Sequence, residues 1–326
     1  MRRGYWTIVW RGFKKNRPAL AGLLVIVTFI IIALLAPFIA NNKPFVYISN
    51  GKAFFPLFYD YEELRGKDLR REEYKGFKIF PPVTYSYSEY DLDSIVVQPS
   101  SKHLLGTDEQ GRDLLARMIH GSRVSIFIGF IAVALYVAIG IIIGSIAGYY
   151  GGWIDIVISR VIEVIMCFPT FFLILTILAL WGPSLSSVMV VIGITSWPGI
   201  ARIVRGEFMK LREMDFVVAS RAVGARDSWI IFRHILPNSL APVLVSATFG
   251  IASTILIESS LSFLGFGVQP PTPSWGDILS QSRDFMDFAW WLTFIPGSAI
   301  FITITAYNLV GDALQNAIDP TSINKK

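Results

Sequence analysis

Residues 215–238, DFVVASRAVGARDSWIIFRHILPN, form a polar, basic island between two long apolar runs. Ala219, Ser220, Ala222, Gly224 and Ala225 predict a short helix with almost no side-chain bulk. Gly224 is free to take the left-handed conformation that ends such a helix. Asp227 is then placed to cap a second helix over 229–236, with Pro237 closing it and opening the next apolar run. A helix of small residues lets another protein's surface approach its backbone closely. An ordinary solvated loop is the plainer reading of the same residues.

The composition sets the class. Of 326 residues, 53% are hydrophobic and only 16% charged. Soluble domains carry about 25% charged residues, so the chain reads as an all-α membrane protein. The net charge of +5 averages very uneven segments, and cations in so apolar a chain belong at lipid head groups rather than on nucleic acid. Cys167 is the one cysteine, which excludes an intrachain disulfide and a cysteine-based metal site. His103, His120 and His234 are scattered, so no metal centre is expected.

Residues 1–18 carry Arg2, Arg3, Arg11, Lys14, Lys15 and Arg17 with no acid. Trp6, Val9, Trp10 and Phe13 fall at helical spacing, which predicts an interfacial helix. The uncharged stretch 18–42 exceeds the ~20 residues that cross a bilayer, so 19–40 reads as a first, uncleaved span; a signal peptide has a shorter core. Residues 41–121 are the only large polar segment, rich in aromatics and near charge balance. Within it Thr107 and Gln110 have the spacing of a capping box, predicting a helix along the membrane surface with Leu114, Leu115, Met118 and Ile119 on one face and Arg112, Asp113 and Arg117 off it. Five further spans follow, at about 124–150, 157–181, 185–204, 239–262 and 289–312, within a core of 122–315. The third and fourth form a hairpin broken at 181–184.

Six spans with both termini in the cytoplasm satisfy the positive-inside rule. The basic arm and the loop 206–238, with Lys210, Arg212, Arg221, Arg226 and Arg233, fall inside, as does a tail of 316–326. The segment 41–121 falls outside. Arg160 and Glu163, three apart at the inner start of span three, share a helix face as a bridge or a pathway pair. Glu258 near the outer end of span five either snorkels to the interface or faces a translocation path. No Gly-x-x-x-x-Gly-Lys-Ser/Thr phosphate loop occurs, so ATP is not expected on this chain; neither HExxH nor Gly-x-Ser-x-Gly is present, against a protease or esterase. An ion-coupled carrier predicts repeats with paired mid-membrane acids, which are nearly lacking here.

The stretch around Ala219 resembles the EAA loop of binding-protein-dependent ABC importer permeases, the element that docks into the ATPase. Ala219, Gly224, Ile235, Leu236 and Pro237 match its pattern, while Val218 stands at the Glu position and Ser220 at the second Ala. His103–Asp108 with 111–113 resembles the signature before the second span in the peptide and nickel branch. Residues 261–267, followed by Pro270, Pro271, Pro273 and 274–276, resemble that branch's outer loop, and 311–314 with 319–320 its ending. Residues 42–44 and 54–57 are similar to the YejE-type subgroup. The resemblance implies a type I importer transmembrane domain with an outer insertion between spans one and two, working by alternating access. It also implies a second, different permease chain, two ATPase subunits or domains that bind ATP and Mg, and an extracytoplasmic substrate-binding protein. Peptides are the implied cargo, with nickel chelates or oligosaccharides as alternatives in the same branch.

Overall fold

The computed structural model describes residues 5–49, 51–71 and 74–318; the residues 1–4 and 319–326 singled out above lie outside these, as do the side chains of Trp6 and Val9. In chain order the helices α1 (Tyr5–Lys14) and α2 (Arg17–Ile39) precede three short strands, β1 (Val46–Ser49), β2 (Lys52–Phe54) and β3 (Phe77–Ile79). Then come α3 (Leu114–Tyr150), α4 (Gly152–Met166), α5 (Thr170–Trp181) and α6 (Leu185–Leu211). The chain continues through α7 (Asp215–Ala222), α8 (Asp227–Trp229), α9 (Leu236–Phe263), α10 (Trp275–Gln281) and α11 (Trp290–Ile318). Two compact units share these helices: Met1–Ile26 with Ile128–Glu258 and Ile302–Lys326, and Val27–Phe127 with Ser259–Phe301.

Five helices are long and apolar enough to cross a membrane, and a sixth crossing arises only if α4 and α5 count together. That pair bends by 80°, so the stretch expected as a third span over 157–181 is not one continuous helix. The cause is Pro169, which lacks an N–H and forces Phe168 away from helical geometry; Pro169 itself is extended (φ −60°, ψ 116°) and starts α5. The hairpin turn forms as expected: Gly182 has φ +84° and the Ser184 hydroxyl accepts from the Ser187 amide at 3.0 Å to cap α6.

In the first unit the deciding contact is backbone against backbone. Gly140, Gly144 and Gly148 recur every fourth residue along α3, and each faces α6. A Cβ on Gly144 would stand 2.5 Å from the Ala201 carbonyl oxygen, and one on Gly148 would stand 2.6 Å from that of Arg205. Small residues at this spacing let two helices approach where lipid offers no hydrophobic drive. The same device places α2 on α11, where a Cβ on Gly22 would lie 2.8 Å from the Ala306 oxygen. α1 packs its Phe13 side chain in, leaves Trp10 exposed, and runs into α2 across a cap in which Asn16 Oδ1 accepts from the Ala19 amide at 3.2 Å.

In the second unit β1 pairs antiparallel with both β2 and β3, giving the order β2-β1-β3. The surface helix expected before the second span does not exist as a separate piece: α3 runs unbroken for 37 residues. Nor does Thr107 with Gln110 form a capping box. Thr107 Oγ1 accepts from the Val97 amide at 2.8 Å, and Asp113 Oδ1 caps α3 by accepting from the Ala116 amide at 2.8 Å. Asp113 wins because it sits at the last residue before the helix, where a side-chain oxygen reaches the free amides of the first turn.

Gly144→Ala is expected to destabilise the protein by about 1–3 kcal/mol, since the new methyl meets backbone rather than a yielding side chain. Gly206→Ala, where nothing stands within 4 Å of the new atom, is expected to stabilise by about 0.5–1 kcal/mol. Thermal unfolding in detergent reads both, and opposite signs are the result to find.

Candidate functional site

α7, DFVVASRA, is too short to hold a core of its own, and it ends as its sequence dictates. Gly224 takes φ +82°, the Gly224 amide donates to the Arg221 carbonyl at 3.0 Å, and the Ala225 amide to that of Ser220 at 3.1 Å. This pair of bonds is the glycine-terminated helix stop in which two orphan carbonyls are satisfied at once. Val217 is buried and anchors the helix, whereas Ala219, Ala222 and Gly224 are exposed and Ser220 and Ala225 half-buried. Val218 (51% exposed), Val223 (85%), Trp229 (57%) and Phe232 (69%) leave four large apolar side chains open along this short segment. Exposed apolar side chains gathered on one segment mark a surface to which something binds.

The knob is braced to the end of α3. Tyr149 Oη donates to Asp227 Oδ1 at 2.6 Å, and the Arg221 guanidinium lies 5.8 Å from the Tyr149 ring centroid. Arg212 Nη1 donates to the Gly148 carbonyl at 3.1 Å, and Arg205 Nη2 to Asp155 Oδ2 at 2.7 Å. Asp227 is therefore a tether rather than the cap expected of it; no side chain caps α8. Pro237 does not close a helix either. Residues Ile230–Ile235 widen into a π-helix that continues into α9, with the Leu236 amide reaching back five residues to Ile231. A proline at the second residue of α9 clashes with the carbonyl four residues before it, and the wider turn relieves that clash without breaking the rod. Ile235 is buried, Leu236 half-buried and Pro237 exposed. Ile235, Leu236 and Pro237 therefore sit at the stiff joint below the knob, outside its open face.

The other charges singled out fall elsewhere. Arg160 Nη1 donates to Glu163 Oε2 at 2.6 Å, with the two side chains 75% and 52% exposed; such a bridge is worth about 0.5 kcal/mol or less. Glu258 is fully buried, so it does not snorkel.

Sequence reasoning missed a buried ionic cluster, all of it in the second unit. Asp108 Oδ2 accepts from Arg112 Nε at 2.7 Å and from Arg117 Nη1 at 2.8 Å. Arg117 Nη2 donates to Asp277 Oδ2 at 2.6 Å, and His103 Nδ1 lies 2.9 Å from Asp113 Oδ2. Arg112 and Arg117 are about as buried as any side chain in the protein. Burial pushes the Asp277 carboxyl up to about 6, against the pull of Arg112 and the Gln281 amide. The cluster seats α10, whose Trp275 is 1% exposed and donates through Nε1 to the Met118 carbonyl at 3.1 Å. Among the described residues no group of three or more His, Cys, Asp or Glu is arranged to hold a metal.

Residues 140–323 match the family described as the binding-protein-dependent transport system inner membrane component, and 4–69 match the N-terminal TM domain of oligopeptide transport permease C. The chain belongs to the binding-protein-dependent transport system inner membrane component family. Within it the chain lies in the oligopeptide and dipeptide permease branch. It is 36% identical to the dipeptide transport system permease protein DppC of Alkalihalophilus pseudofirmus, over 97% of this chain and 90% of that one. It is 37% identical to the DppC of Haemophilus influenzae, over 95% and 93%. Against the glutathione transport system permease protein GsiD of Pectobacterium atrosepticum the identity is 40%, over 71% and 77%. The fold matches a chain of the inward-facing MetNI methionine ABC transporter with a TM-score of 0.52 at 18% identity, covering 63% of this chain and 98% of that one. The type I importer permease fold expected above is thus present.

Tyr149→Phe removes a hydrogen bond to a carboxylate, worth about 1.5–3 kcal/mol. Amide exchange over 215–229 is expected to quicken by about tenfold or more, with the spans unaffected. Arg117→Met strips Asp277 of its closest cation, and a loss of about 3–5 kcal/mol in unfolding stability is expected in detergent.

Proposed function

We propose that this chain is one transmembrane subunit of an ATP-driven peptide importer, and that α7 with its glycine stop is where force enters it. The observation that carries the reading is the open apolar face around Ala219, Ala222, Val223 and Gly224 on a knob otherwise tied by Tyr149–Asp227. Exposed small residues admit a partner's surface, and the brace passes its movement to α3. The π-turn and Pro237 join the knob to α9 without a flexible link, so displacement tilts the span. Alternating access then needs only rigid movement of helices whose glycine contacts stay closed.

The partners in this reading are a second permease chain, two ABC ATPase subunits or domains carrying ATP and Mg, and an extracytoplasmic binding protein. ATP hydrolysis falls to those subunits; this chain performs no catalysis and holds no cofactor. Both termini and the loop 206–238 face the cytoplasm, as its basic residues favour. The three-stranded segment lies outside, where it helps seat the binding protein. Peptides are the cargo because the relatives named above include dipeptide permeases; nickel chelates and oligosaccharides are the alternatives.

Gly224→Glu places a charged side chain in a left-handed turn on the open face. The variant is expected to insert into the membrane in normal amount, yet to lose ATPase co-purification and peptide uptake. Normal uptake with the ATPase still bound would rule out this docking site.

A further inference from the structure

We infer that a groove between α3, α6 and α9 is the surface along which the main chain of an extended peptide passes. The inference rests on the importer reading above and deepens it by naming the contact residues. The groove lies within the first unit, is open along much of its surface and holds about 360 Å³. Its walls carry hydroxyls from Tyr136, Ser196, Ser246, Ser253 and Thr254, of which Ser253 donates to the Phe249 carbonyl of its own helix at 3.1 Å and is left to accept, and no charged side chain lines it.

Three features set this surface apart from one that merely meets lipid. Gly199 on α6 is exposed, with no atom within 4 Å of where its Cβ would stand, so its backbone lies open to the groove. Tyr136 Oη rests where a Cβ of Gly250 would be, so the ring spans from α3 to α9 as the groove's floor. Positions elsewhere on the same helices are bulky and apolar: Leu135 and Ile142 on α3, Val190 and Ile194 on α6, and Leu244 on α9 are all exposed. Lipid tails have no hydrogen bonds to offer, so hydroxyls and bare backbone concentrated on one concave side indicate a polar occupant.

The chemistry of that occupant follows from the lining. Neutral hydroxyls pair equally with amide N–H and C=O groups and make no demand on side-chain charge. Such a wall accepts peptides of varied sequence through their backbone, leaving selection to another component. From Ser246 to Ile257 the groove follows about 16 Å of α9, the length of about five extended residues.

The test uses the full transporter, assembled with its partner permease, ATPases and binding protein in proteoliposomes. Cys167 is exposed and the only cysteine, so Cys167→Ser supplies a thiol-free parent. Ser196→Cys and Ser253→Cys are added separately, with Leu244→Cys, exposed on the opposite side of α9 from the groove, as the control. A hydrophilic cationic thiosulfonate is expected to label both serine positions at least tenfold faster than Leu244→Cys. A saturating mixture of two- to five-residue peptides is expected to slow that labelling at least threefold. Labelling as slow as at Leu244→Cys means that lipid or the partner permease fills the groove, and overturns the inference. Fast labelling indifferent to peptide overturns it too. Peptide uptake by the Cys167→Ser parent is the separate readout: its absence sinks the importer reading and this inference with it, whereas uptake alongside failed protection sinks the groove alone.

Discussion

The close approach of α3 and α6 governs what the first unit can do. Gly140, Gly144 and Gly148 hold α6 so near that added methyls would meet Ile200, the Ala201 carbonyl and Phe208. Dispersion between two backbones at this range, summed over the nine residues 140–148 of α3, supplies the packing that the hydrophobic effect cannot supply inside lipid. Because the row continues to Gly148, the end of α3 arrives beside the end of α6. Arg212 then reaches the Gly148 carbonyl and Tyr149 reaches Asp227. The position of the knob is a consequence of the glycine row.

The knob itself has little internal stability. α7 is eight residues long and buries Val217 alone, far short of what an isolated helix needs in water. It persists because both ends are stopped, one by the glycine turn and the other by the short connection from α6. A body so built moves as a piece when pushed, and its open face of Val218, Val223 and Trp229 is what a partner would push. The second unit gains its rigidity differently, through buried Arg117, which bridges Asp108 and Asp277, and buried Arg112, which is held by Asp108.

The spans and the knob were legible in the sequence because each depends on neighbouring residues: uncharged runs for the helices, Gly224 for the stop. The features that were not legible depend on distant partners or on competition between local rules. Arg112, Asp113 and Arg117 look like a solvated face until α10 arrives from 160 residues away. Pro169 and Pro237 obey the same local rule, yet one bends its helix sharply and the other is absorbed by a π-turn. The difference lies in what precedes them: Pro169 follows residues that end α4, whereas Pro237 follows a turn able to widen. The Gly140–Gly144–Gly148 spacing was the one overlooked signal that sequence alone carries. Glu258 could not be placed because burial of a single acid near a span's end leaves no periodic trace.

In the proposed function the engine lies outside this chain and is reached through the knob. Reconstituting the chain in sealed vesicles, alone and with its partner subunits plus ATP, tests that directly. Accumulation of peptide only in the complete assembly is the predicted result. Accumulation by the chain alone, driven by an ion gradient and indifferent to ATP, would contradict it.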